Sequence, residues 1–232
     1  MVQLGGATWP EIEGTRRGRL LALPVGSLEQ HGPHLPLNTD TRIAGAVAAG
    51  LAEGRPDVVV APAIPYGASG EHAAFPGTLL VGHEVLAQLL VELVRSARHA
   101  FRGVVLVSAH GGNHQGLSLA EAQCRADGDD VVVWAAGTEG GDAHAGRTET
   151  SLMLAIDPSV VRIDLAEAGC TDPLAALLPR LRVEGVRPIS SNGVLGDPDG
   201  ASAAEGASLL EAMTADLCAA VASRWPPRDH QP

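Results

Sequence analysis

Short runs of consecutive apolar residues alternate along this chain with longer stretches whose apolar positions recur every three or four residues. Leu20-Leu-Ala-Leu-Pro-Val25, Val58-Val-Val-Ala61, Val104-Val-Leu-Val107 and Val131-Val-Val-Trp134 have the length and β-branched content of strands buried on both faces. The stretches between them predict helices over Thr41–Leu51, Glu84–Phe101, Asn113–Ala126 and, from near Ala145, to Ile156, where Asp157-Pro158 stops it. Glu84–Phe101 carries the clearest stripe, with Leu86, Leu89, Leu90, Leu93, Val94 and Ala97 on one face. A short helix over Leu174–Leu181 and a closing amphipathic one over Ala203–Trp225 complete the pattern. Continuous apolar strands separated by helices predict an α/β fold: one domain over 1–232, a mostly parallel sheet, helices on both faces and right-handed crossovers. Ser190–Ala203 holds the turn-forming Asn-Gly, Asp-Pro and Asp-Gly pairs, and its Asn192–Asp197 part is the expected substrate-covering lid. The tail from Pro226, with a bystander His230, is expected to fray.

Composition narrows the chemistry. All 16 basic residues are arginine, which excludes a Schiff-base lysine and the lysine of a phosphate-binding P-loop. A net charge of −11 and only 3% aromatic residues argue against a nucleic-acid partner. No apolar run reaches the roughly 20 residues that span a bilayer, and Met1–Glu13 has no signal-peptide pattern, so a cytoplasmic location is expected. Cys124, Cys170 and Cys218 are widely spaced and odd in number, which fits free thiols.

In open α/β sheets ligands bind beyond the carboxyl ends of the strands. The segments there are Gly26–Asp40, Tyr66–His72, Ser108–His114 and Asp142–Glu149, and they hold His31, His34, His72, His110, His114 and His144. Glu29 and His31 are two apart, so an extended backbone turns both to the same side. Asp40 stands at a helix start, where a carboxylate can also bridge two cations. His110 is followed by two glycines, which let the chain turn sharply. Glu149 falls in the first turns of the helix after His144. Mixed nitrogen and oxygen donors favour zinc, iron(II) or manganese, and three carboxylates with two histidines suffice for two ions sharing Asp40. Such a pair activates water for attack on a carbonyl. His34, bracketed by prolines, fits a supporting role better than ligation, and His114 fits a hydrogen-bonded residue of the helix's first turn. Glu71, His72, Asn113 and Arg147 are candidate substrate contacts. Neither a G-x-S-x-G elbow nor a G-x-G-x-x-G loop follows a strand, and no cysteine lies at a strand end beside a histidine cluster.

These motifs carry a resemblance. Gly26-Ser-Leu-Glu-Gln-His-Gly-Pro-His-Leu-Pro36 with Asp40, then His110-Gly-Gly-Asn113, then His144-Ala-Gly-Arg-Thr-Glu-Thr-Ser151, resemble the creatininase family of metal-dependent amidohydrolases. The resemblance implies a three-layer α/β/α fold, two divalent ions and a homo-oligomer, often a hexamer. It implies Glu29, His31, Asp40, His110 and Glu149 as ligands, Asp40 as the bridge, and His144 as the acid/base. Creatininases carry a glutamate where this chain has Gly112, so Glu149 is the implied source of the missing carboxylate and creatinine an unlikely substrate. Tyr66–His72, Phe75-Pro-Gly-Thr78, Asp142–Leu154 and Asn192–Pro198 are similar to the subfamily that trims a modified mycofactocin precursor peptide near its C-terminus. The rival expectations are hydrolysis of a small cyclic amide or formamide, and a metal-dependent binding protein without catalysis.

Overall fold

The computed structural model describes residues 1–13, 18–137 and 141–227. Its strands are β1 (Val2–Gln3), β2 (Leu20–Val25), β3 (Val58–Val60), β4 (Gly103–Ser108) and β5 (Val131–Ala135). Its helices are α1 (Trp9–Glu13), α2 (Thr39–Gly54), α3 (His83–Ala97), α4 (His114–Ala126), α5 (Arg147–Ile156), α6 (Leu174–Glu184) and α7 (Ala203–Arg224). All five strands are parallel, in the order β1-β3-β2-β4-β5.

The pleat explains why the strands are apolar throughout. Leu20, Ala22, Val58, Val60, Val105 and Val107 point into a core closed by α2, α5 and α7. Leu21, Leu23, Val25, Val59, Val104 and Leu106 point the other way, into a core closed by α3 and α4. Strands covered on both faces have no polar side to show. The result is the expected three-layer α/β/α arrangement. The stripe on α3 is narrower than its spacing suggests: Leu86, Leu90 and Val94 are buried, whereas Leu89 and Leu93 are exposed.

The strand order places the site. From β2 the chain moves to β3 through α2 on one face, and from β4 it moves away to β5 through α4 on the other. The loops leaving β2 and β4 therefore part in opposite directions and open a crevice between two adjacent strands, the usual ligand position in such sheets.

Helices α5 and α7 pack closely enough that Gly206 is required: a Cβ there would overlap the Ser151 carbonyl, which belongs to backbone and cannot swing aside. Gly45 on α2 has open space around its missing Cβ. Gly206→Ala should therefore cost about 1–3 kcal/mol of stability. Gly45→Ala should gain roughly 0.5–1 kcal/mol. Urea-unfolding midpoints at constant slope check both.

Candidate metal centre

The segment leaving β2 passes so close to α2 that Gly26 has no room for a Cβ beside Thr41. Beyond it, Glu29 and His31 both turn inward and are fully buried. Asp40, in the first turn of α2, is also buried, and its Oδ2 accepts a 2.5 Å hydrogen bond from the Ser27 hydroxyl. β4 delivers His110, and the helical turn Gly70–His72 delivers His72. Ahead of α5, Ala145 takes a left-handed backbone (φ 52°), and its N–H donates to Glu149 Oε2 at 2.6 Å. A non-glycine residue in that region is strained. Here the strain sets His144 and Glu149 on the same side.

These side chains converge. His31 Nε2 lies 3.4 Å from Asp40 Oδ1 and 3.8 Å from Glu149 Oε2. His110 stands 3.1 Å from Glu29 and 3.5 Å from Asp40. His72 Nε2 is 3.3 Å from Glu29 Oε1, and His144 Nδ1 is 3.8 Å from Glu29 and 4.0 Å from Glu149. Three sets offer donor atoms close enough to share an ion: Glu29, His31 and Asp40; His31, His144 and Glu149; Glu29, His72 and His144.

The backbone decides which ring nitrogens are free, because a carbonyl can only accept. His31 Nδ1 donates to the Glu29 carbonyl (3.1 Å), leaving Nε2 to face Asp40 and Glu149. His110 Nε2 donates to the Ala68 carbonyl (3.2 Å), leaving Nδ1 toward Asp40. His144 Nε2 lies closer to the Gln30 carbonyl (2.8 Å) than to the Gln30 amide nitrogen (3.1 Å), so it donates there and Nδ1 faces the carboxylates. Gln30 is a hub: its Oε1 accepts the Gly32 N–H, and its Nε2 reaches both the Gly193 carbonyl and His72 Nδ1.

Burial sets the protonation. It raises Glu29 and Glu149 to about 7 each. Burial opposes a charge on His31, but the Asp40 carboxylate overrides it and lifts this ring to about 10. His72 and His144 go the other way: burial, with cationic neighbours, takes His72 down to about 3 and His144 well below its ordinary value. The last two rings are neutral at pH 7.

Glu29, His31, Asp40, His110, His144 and Glu149 thus meet in one cluster. Glu71 stands at its margin, with Oε1 3.9 Å from His110 Nε2. Other expectations change. Asn113 is fully buried, and its amide bonds Ala68 N, the Gly26 carbonyl and Ser108 Oγ, so it latches two loops to β4. Arg147 is tied through Nε to Glu205 on α7 instead of reaching toward the cluster. His72 lies inside the cluster, against Glu29. His34 bonds Thr150 Oγ1 on α5, and His114 is exposed at the start of α4. Asp142 caps α5 by accepting the N–H groups of Arg147 and Thr148. The expected lid packs against the cluster: Val194 and Leu195 are buried, and Leu195 exchanges backbone hydrogen bonds with His144. Gln30 went unrecognised although it lies between Glu29 and His31; alternation turns it to the opposite side, where its partners come from distant loops. His230 lies outside the described residues.

A parallel α/β sheet bearing buried carboxylates and imidazoles at its switch point offers donors that could hold a metal ion. The model of the creatininase family, described as creatinine amidohydrolase, matches residues 6–221, and the chain belongs to this family. The mycofactocin precursor peptide peptidase of Mycobacterium ulcerans (strain Agy99) is 48% identical over 229 residues, covering 95% of this chain and 88% of the relative. A creatininase structure described as the Mn form is 29% identical with a TM-score of 0.78, covering 97% of this chain and 99% of the other. A variant of "Zn-Zn type" is 27% identical with a TM-score of 0.77, covering 97% and 98%.

The donor set fits divalent ions. Both Glu29 carboxylate oxygens and His31 Nε2 are buried with no hydrogen-bond partner among the described residues. Such atoms are expensive unless a cation meets them. Ligands bind metal deprotonated, whereas in metal-free protein His31 keeps its proton at pH 7 and the two carboxylates near 7 hold a share. The metal-bound form carries fewer protons, so metal affinity should rise as pH increases from 6 to 8 and binding should release protons. Calorimetry in buffers of different ionisation enthalpy measures the release; an affinity flat across that range would contradict the assignment.

Proposed function

We propose that this chain is a metal-dependent peptidase that hydrolyses a C–N bond near the modified C-terminus of the mycofactocin precursor peptide. The observation that carries the chemistry is the buried, unpartnered Glu29 carboxylate facing the rings of His72, His110 and His144. The 48% identity to a mycofactocin precursor peptide peptidase supports the substrate. In this reading Glu29, His31, Asp40, His110 and Glu149 would hold two divalent ions, Asp40 being the shared ligand; zinc, iron(II) and manganese all suit the donors. Ions bound there lower the pKa of water and polarise the scissile carbonyl.

The remaining work falls to the protein. His144 is neutral and turns Nδ1 toward the carboxylates, so it can take the proton of the attacking water and deliver it to the leaving nitrogen as the C–N bond breaks. The Gln30 carbonyl holds the ring in that tautomer. The 194–195 wall, bonded to the His144 backbone, excludes water from one side. The fold's assembly into a homo-oligomer and its place in the cytoplasm belong to the same proposal.

His110→Ala and Glu29→Ala should abolish peptide cleavage and lower the bound metal. His144→Ala should keep the metal and lose about 10²–10⁴-fold in kcat. Mass spectrometry of precursor-peptide products, with creatinine and small amides tested alongside, and elemental analysis of protein purified without oxygen measure these outcomes. Full cleavage by metal-stripped protein would sink the proposal.

A further inference from the structure

Glu71 is the one carboxylate at the margin of the cluster that this reading leaves without a task. Its surroundings are unusually specific. Its backbone carbonyl accepts the Val186 N–H at 2.9 Å. Gly185 presses on that same carbonyl in a left-handed conformation (φ 74°), and a Cβ there would come within 2.9 Å of the oxygen. On the other side, a Cβ on Gly112 would stand 2.7 Å from Glu71 Oε1 and would also run into His110 Nε2 and the Ala68 carbonyl. Gly112 thus clears the space in which the Glu71 carboxylate approaches the His110 ring, while Gly185 lets the chain close on the Glu71 backbone. Glu71 is 28% exposed, its Oε1 is 3.9 Å from His110 Nε2, and no hydrogen bond from the described residues occupies the carboxylate.

The nitrogen it faces is the decisive detail. His110 Nε2 is the protonated one, bonded to the Ala68 carbonyl and 3.1 Å from Glu29 Oε2, with Glu71 Oε1 a second carboxylate oxygen farther out on the same side, while Nδ1 faces Asp40. Histidines that bind metal through one nitrogen commonly present the other N–H to a carbonyl or carboxylate, which fixes the ring and makes the ligating nitrogen more basic. We propose that Glu71 is a positioning residue acting through His110: its negative charge, admitted by Gly112, holds the proton on Nε2 and strengthens Nδ1 as a metal donor. The inference rests on the metal-centre reading above and assigns Glu71 a role toward the metal rather than the substrate.

The test is metal affinity, measured by chelator competition with zinc and with manganese on the full-length protein. Glu71→Gln keeps the shape and removes the charge; it should weaken binding about 10–100-fold. Glu71→Asp, which keeps the charge on a shorter arm, should recover part of the loss. Glu53→Gln, on the exposed end of α2, is the control for net charge and should bind as the parent does. The ligand-field spectrum of the cobalt(II)-substituted protein gives a second readout, which Glu71→Gln should shift and Glu53→Gln should not. Unchanged affinity and spectrum in Glu71→Gln, with only KM for the peptide raised, would make Glu71 a substrate contact and overturn the inference. A parent protein that binds neither ion would instead overturn the metal-centre reading itself.

Discussion

Burying the Glu29 carboxylate is the constraint around which the rest is arranged. It has no solvent and no hydrogen bond among the described residues. An isolated ionised carboxylate in such surroundings costs several kcal/mol. The protein tolerates it because Glu29 sits at the end of the central strand β2, flanked by β3 and β4, where three other segments can be brought against it. His110 comes from β4, His72 from the turn beyond β3, and His144 from the segment before α5. None of these segments could move far without leaving the charge unmet. The close approaches at Gly26, Gly112 and Gly206 follow from that requirement for tight convergence.

The same burial divides the histidines by function. Rings facing Asp40 hold protons more strongly; rings packed among other imidazoles lose them. One cluster therefore contains rings that hold a proton and rings that stay neutral. This separation comes from the environment, since the side chains are chemically identical.

Most of the layered fold was legible because strands buried on both faces must be apolar and the helices between them striped. The strand-end rule was equally informative for the site, since it pointed to all the segments that bring the clustered carboxylates and imidazoles. What escaped has physical causes. β1 is two residues long and α1 five, too short to show a period. Leu89 and Leu93 share the apolar stripe of α3 but lie past the edge of what the sheet covers. Asn113 and Arg147 carry groups able to bind a ligand, and only the distant Gly26 carbonyl and Glu205 reveal that Asn113 is engaged inside the fold and Arg147 at its surface. The 192–197 segment has the glycines of a mobile loop, yet its backbone pairs with His144.

Helix α7 gives the centre a history. It follows every donor in the sequence, yet α5, which carries Glu149, has its packing surface on α7. Ser151 on α5 donates to Glu205, and Gly206 meets the Ser151 carbonyl. At its far end α7 leads to Trp225, whose ring packs against Gly103 at the start of β4. During synthesis the donors from Glu29 to Glu149 leave the ribosome before the surface that seats α5 exists. The cluster's geometry is therefore complete only once α7, made after all of its donors, has packed against α5.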